Sequence, residues 1–488
     1  MTKKQGLRLT AFFLLAALLI FGLGQLLRDR DTTLSSLYSE PDDTVDVFIV
    51  GSSHVNSGFM PAVLWKEYGI SAHNVFSWSQ PMWISYYFIE EALRTQSPQV
   101  IVLDLYGMMY GNSTEQPKAI DEVNYKNSFQ IDTDLTFLRM IQTVKTCGID
   151  LRNPIDFLNI VRYHTRWKYL DRTAWTYDPH RDPDYLKGYG PQFDVFPCDV
   201  PASSGSIQAR EPYDTAVLWL DKIVGLCKEH GIELVFTMTP YTYQASELEI
   251  FRWLEQYATE RDIPFLNYAD GDGARIGFDY TSQMSDSGHL NYHGAFLITR
   301  DLGAFLQDNF PLPAPESHPN AALLARDAEK VYRVFEVNEA QSVDPAVWFS
   351  ALGKDENSVV LAVANGNNTG LPASFRSALS SLGLKEVDAL FHTPDLSYLA
   401  VACAGQAQEE TSADLLEKVV ALGDTSFALR SDGAKTGGAQ LAQNGQKAFE
   451  NCDGFQFAIY DKVLERATFY FRYDAASDTL EIHDFGDN

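Results

Sequence analysis

Three kinds of side chain in this sequence could together perform nucleophilic chemistry. Ser52, Ser53 and His54 close the apolar run DVFIVG, and Asp286 and His289 stand in DSGHLN more than two hundred residues later. A serine hydroxyl is a weak nucleophile until a base takes its proton. An imidazole does this near neutral pH, and a carboxylate on its other nitrogen fixes the tautomer. The Asp-x-x-His spacing lets a carboxylate in a tight loop fold back onto the ring. A plainer reading of Ser-Ser after a strand is a helix cap or a turn. His54 reads as a local hydrogen-bonding or substrate-side residue rather than the base. His293 lies four residues after His289 and could face it on a helix, as metal-binding pairs do. No third ligand is evident, so neither a metal site nor a cofactor is expected.

Elements must bring these residues together. VDVFIVG (45–51), AHNVFSWS (72–79) and QVIVLDLY (99–106) are short apolar runs fit for buried strands. Helical patterns led by Pro61 and Pro81 separate them. This alternation predicts βαβ units and a parallel sheet covered on both faces. It breaks at 107–210, read as a large helical and loop insertion. It resumes with a helix ending near Gly231, strand 232–240, a helix over 246–262 and strand 263–268. Sites in such sheets form at the carboxyl ends of strands. That edge would collect Ser53, residues 104–107, Thr239 to Tyr243, and the Asp286–His289 loop.

The remainder of the chain sets the context. Its 488 residues exceed one ordinary core, and its net charge of −27 leaves no basic excess for a nucleic-acid partner. Residues 9–27 run 19 positions without a charge behind Lys3, Lys4 and Arg8. That is enough for one membrane crossing, with 1–8 in the cytoplasm and the body outside. A cleaved signal peptide is the other reading. Residues 28–43 read as a stalk, 44–312 as the α/β domain, 313–342 as a linker and bracing helix, and 343–488 as a smaller α/β or α+β domain. Cys147–Cys198 and Cys403–Cys452 could pair, and Cys227 reads as core. The stretch RYHTRWKYL (162–170) gathers His164, Arg166 and Trp167 in an acidic protein. It reads either as a solvated amphipathic helix or as a wall of an acceptor site.

The strand–Gly51–Ser52–Ser53 block and the distant Asp286-x-x-His289 resemble the SGNH/GDSL hydrolase superfamily. The resemblance spans roughly 44–312 and implies Ser53 as nucleophile, His289 as base and Asp286 as its partner, with Ser52 at the family's Asp position. The Gly-Ser-Ser variant is similar to the DltD-like and AlgJ/AlgX-like branch. That implies exported, membrane-anchored acyl chemistry on an envelope polysaccharide, beside a membrane-bound O-acyltransferase that supplies the acyl group. Non-catalytic glycan binding on the same fold is the alternative. The family's oxyanion donors are less well matched. SWSQP offers Ser77, Ser79 or Gln80, and LYGMMYGN offers Gly107 or the distant Asn112. Within 343–488, SVVLAVANGNNTGLPASFRSALSSLG, SYLAVACAG and NGQKAFENCDGFQFAIYDKVLERATFYFRYD resemble an interleukin-like EMT inducer domain, which implies sugar binding; a structural or spacing module is the plainer reading.

Overall fold

The structure, a computed structural model, describes residues 3–27, 35–109, 159–169, 184–199, 207–342, 344–433, 435, 438–449, 454–474 and 479–484. Most of the expected insertion, with Asn112 and Cys147, lies outside these residues. So does Cys452, and with it both proposed cysteine pairs. The chain divides into two compact units, 1–328 and 329–488.

In the first unit, five parallel strands form one sheet in the order β2-β1-β3-β4-β5. They are β1 (Val47–Gly51), β2 (Ala72–Phe76), β3 (Val100–Asp104), β4 (Glu233–Met238) and β5 (Phe265–Asn267). A strand's side chains alternate between faces, and here both faces are apolar. Phe48, Val50, Ile101 and Leu103 pack on one side with Ile84, Phe88, Leu220 and Ile223, from the helices Met82–Ala92 and Asp214–His230. Val47, Ile49, Val100 and Val102 pack on the other with Leu64, Ile298 and Leu302, from Pro61–Tyr68 and Tyr292–Asn309. Each such fully buried side chain contributes about 1.5–3 kcal/mol. The expected strands are therefore present, two or three residues shorter than the sequence runs. The helices stop where the sequence places glycine: Gly69 and Gly231 take the left-handed conformation that closes a helix.

Beside the site stands an element that the sequence pattern did not mark. Directly after β1 the chain enters a short helix, Ser53–Gly58. The turn is tight because Gly51 has no side chain. A Cβ there would sit 2.7 Å from Val55 Cγ2 and 2.8 Å from Asp104 Cβ, so Gly51 lets β1 and β3 close around the start of this helix.

The N-terminal helix, Lys3–Leu27, contains a 21-residue apolar span, Lys4–Gly24, long and apolar enough to cross a membrane. A signal sequence has the same properties.

The second unit is α+β. A six-stranded sheet ordered β15-β14-β13-β6-β7-β8 is antiparallel throughout. Its strands are β6 (Ser358–Asn365), β7 (Ser397–Cys403), β8 (Gln406–Ser412), β13 (Gly454–Asp461), β14 (Arg466–Asp474) and β15 (Thr479–Asp484). Val360, Ala362 and Ala364 face the helices Pro345–Leu352 and Ala373–Ser381, through Trp348, Phe349 and Phe375. Val359, Leu361 and Val363 face a second sheet through Phe427, Leu429 and Leu441. That sheet consists of β9 (Leu416–Leu422), β10 (Thr425–Ser431), β11 (Gln440–Gln443) and β12 (Gln446–Lys447). Period-two alternation thus builds three layers.

Candidate active site

The two ends of the sequence pattern meet. Ser53 Oγ lies 2.8 Å from His289 Nε2, and His289 Nδ1 lies 2.8 Å from Asp286 Oδ2 and 3.0 Å from Oδ1. An ionised carboxylate only accepts, so Nδ1 carries the imidazole proton and donates it to Asp286. Nε2 is then left to accept from the Ser53 hydroxyl.

Each member is held by local structure. Ser52 and Ser53 divide the two roles that the pair suggested. Ser52 is buried and caps the short helix, its Oγ accepting from the His54 N–H at 3.3 Å. Ser53 is the first helical residue and is only partly buried. The first N–H groups of a helix have no carbonyl partner within it, and the Ser53 N–H is one of these. Asp286 folds back as the spacing implied. Its Oδ1 accepts from the N–H groups of Gly288 at 2.7 Å and His289 at 2.9 Å. Burial pushes this carboxyl up, but those N–H groups and the His289 ring prevail and hold it below the ordinary carboxylate value. The loop is pinned from below by Asn291, which caps the helix Tyr292–Asn309 and donates from Nδ2 to Ser282 O at 2.9 Å. His289 precedes that helix. His293 lies inside it, its ring tilted against Tyr292 with centroids 3.9 Å apart, so the two histidines do not share a helical face.

His54 is 3% exposed and belongs to a second network. Its Nδ1 lies 2.9 Å from Thr239 Oγ1, and its ring stacks on Tyr106 at 3.7 Å. Its centroid is 5.7 Å from that of His289. Burial, then the neighbouring His289 charge, pushes the His54 ring well below its ordinary value, which keeps it neutral. The Thr239 N–H donates to Asp104 Oδ2 at 3.1 Å. Asp104 Oδ1 accepts from the Tyr106 N–H at 3.1 Å. The sequence reading placed Asp104 and Thr239 at this edge without assigning a relay. The available signal was a single carboxylate closing the apolar run VIVLD.

Burial pushes Asp104 up to about 7 against the hydrogen bonds from Tyr106 and Thr239. A carboxyl raised on folding binds its proton more tightly in the native state. Its stability contribution is complete below the unfolded-state value near 4 and is lost as pH rises through about 7. Thermal melts of Asp104→Asn should therefore lack the fall in Tm that the natural protein shows between about pH 4 and 7. Parallel curves for the two proteins would refute this.

The oxyanion candidates occupy the adjoining strand ends. Ser77 is buried and donates to Gln80 Oε1 at 3.0 Å, while Gln80 Nε2 donates to Ser85 Oγ at 3.0 Å. The Gln80 carboxamide thus braces the SWSQP loop from inside. Ser79 takes a left-handed conformation with φ 51°. A Cβ on Gly107 would lie 2.8 Å from the Gln80 carbonyl, so Gly107 packs against that loop. His164, Arg166 and Trp167 fall on a short helix, His164–Tyr169. Arg166 donates to the Leu27 carbonyl at 3.3 Å and His164 Nδ1 lies 2.7 Å from Val161 O, while Trp167 is exposed. Two of the three are thus engaged with the N-terminal helix end and with their own segment.

No family model and no curated protein sequence matches the chain. Among solved structures, it is similar to a protein assigned to the G-D-S-L lipolytic family from Desulfitobacterium hafniense, with 12% identity, 53% of this chain and 98% of that one covered, and a TM-score of 0.28. It is likewise similar to an assigned acylhydrolase from Bacteroides fragilis, with 11% identity, 58% and 97% coverage and a TM-score of 0.28. A GDSL-like lipase from Bacteroides thetaiotaomicron aligns with 11% identity, 54% and 88% coverage and a TM-score of 0.26. The chemistry of the site rests on its own geometry.

Proposed function

We propose that this protein is a serine-dependent ester hydrolase or O-acyltransferase that works through an acyl-Ser53 intermediate. The unbroken hydrogen-bonded chain Ser53–His289–Asp286 at the carboxyl end of the parallel sheet carries this reading. Ser53 Oγ attacks an ester carbonyl carbon while His289 Nε2 takes its proton, and Asp286 stabilises the imidazolium. The Ser53 N–H meets the developing oxyanion. His289 then returns the proton to the departing alkoxide. In the second half an acceptor O–H gives its proton to His289, its oxygen bonds to the acyl carbon, and Ser53 leaves with the proton from His289.

The acceptor we infer is a hydroxyl of a cell-envelope polysaccharide, with water as the hydrolytic alternative. The apolar span Lys4–Gly24 supports a body tethered at a membrane surface. A membrane-bound acyltransferase would be a suitable source of the acyl group there. No cofactor is invoked, because the three side chains supply base, nucleophile and charge stabilisation themselves.

Trapping decides the reading. A fluorophosphonate probe, or an activated acetyl ester quenched in acid, should leave its mass on the peptide containing Ser53. An unlabelled Ser53 under conditions of ester turnover would refute it.

A further inference from the structure

The Asp104–Thr239–His54 network ends beside the reacting groups and has no part in the Ser53–His289–Asp286 chain. Asp104 accepts from the backbone N–H groups of Tyr106 and Thr239. The Thr239 hydroxyl meets His54 Nδ1 at 2.9 Å. The Tyr106 face, stacked at 3.7 Å, and the Tyr241 edge at 5.5 Å hold the ring's plane. Nδ1 is thereby engaged, and Nε2 is the ring's remaining polar atom. That atom has no hydrogen-bond partner among the described residues and is not sealed from solvent. A side chain 97% buried, held by Thr239 and two tyrosines and left with one open ring nitrogen, is built to receive something.

We propose that His54 Nε2 forms a hydrogen bond with a second hydroxyl of the acyl acceptor, making the site selective for vicinal diols of the sugar type over simple alcohols. The inference rests on the acyl-Ser53 reading and names its acceptor class. The His54 and His289 rings are 5.7 Å apart and edge-on. Two hydroxyls on adjacent carbons can meet both rings at once, one on His54 and the other delivering its proton to His289. Trp78 supports a ring-shaped acceptor. Phe76 pairs in register with Gly51, so Trp78 lies just past the same end of the neighbouring strand, and it is 50% exposed. An indole face there can cover the C–H face of a pyranose. In this scheme His54 is a binding residue, and Thr239 and Asp104 position it.

The test is an acceptor competition on the full-length chain in detergent. p-Nitrophenyl acetate serves as donor, and methyl α-D-glucopyranoside or methanol as acceptor. Transfer to each is followed by mass spectrometry. The glucoside-to-methanol ratio of kcat/KM should fall about tenfold in His54→Phe, the worth of one hydrogen bond. Thr239→Val, which removes only the orienting hydroxyl, should lower it in the same direction. General damage to the fold lowers both acceptors alike, so a ratio within about twofold of the natural protein in both variants overturns the proposal. Acyl-Ser53 that resolves to water alone, whichever acceptor is present, overturns it too while leaving the serine mechanism standing. Failure to form acyl-Ser53 at all removes both.

Discussion

Replacing Ser53 with alanine should lower ester turnover by about 10⁴–10⁶-fold and leave the fold intact. The large number follows from what is removed. Without Oγ there is no covalent intermediate, and His289 is left with no proton to take. The remaining acceleration comes from the helix N–H and from substrate binding, which persist. The fold should tolerate the change because Ser53 is only partly buried and its hydroxyl reaches outward to His289, not into the core. Ser52→Ala offers the contrast. Ser52 is buried and its hydroxyl caps the helix, so its loss should appear as about 0.5–2 kcal/mol of stability. Steady-state rates on p-nitrophenyl acetate and thermal melts on both variants separate the roles. Full activity in Ser53→Ala would end the nucleophile assignment.

The second large effect is expected at the base. His289→Ala should cost about 10⁴-fold or more, because nucleophile and base act as a unit. It should slow labelling of Ser53 by a fluorophosphonate as well as turnover. The His289 side chain is 32% exposed and stands at the mouth of the site. Its deletion leaves a hollow that free imidazole can enter from solvent, so added imidazole should restore part of the rate. A structural role would not be rescued in this way. His54→Phe should show no such rescue, since its ring is enclosed by Tyr106, Tyr241 and Thr239. If His54, not His289, were the base, the large loss of turnover would fall on His54→Phe and not on His289→Ala.

The legible parts of this protein are those written in local periodicity and in side-chain chemistry. Apolar runs bounded by glycine and proline marked all five strands of the first sheet and its flanking helices. The runs SVVLAVAN, LSYLAVACA, FQFAIYD and ATFYFRYD carry the same signal for β6, β7, β13 and β14 in the second unit. The less apolar strands were not. Gln406–Ser412 is polar at every position but Ala407, and Leu416–Leu422, with the adjacent Glu417 and Lys418, has no buried position. A two-sided polar strand gives little hydrophobic signal. The short helix Ser53–Gly58 was also invisible, because six residues are too few for a helical period to show.

At the site, sequence by itself determined the chemistry on offer: a hydroxyl after the first strand, and a carboxylate three residues ahead of an imidazole. The Asp286–His289 contact is nearly local, since three residues and a tight loop suffice to form it. The remaining assignments are long-range. That Ser53 faces His289 while Ser52 turns inward to cap depends on the helix that starts between them. That His54 joins Asp104 and Thr239 depends on β1, β3 and β4 lying side by side, which brings residues 54, 104 and 239 to one sheet edge. Composition cannot encode that adjacency. It arises because parallel strands buried on both faces must stack in one sheet, and the order of stacking decides which strand ends become neighbours.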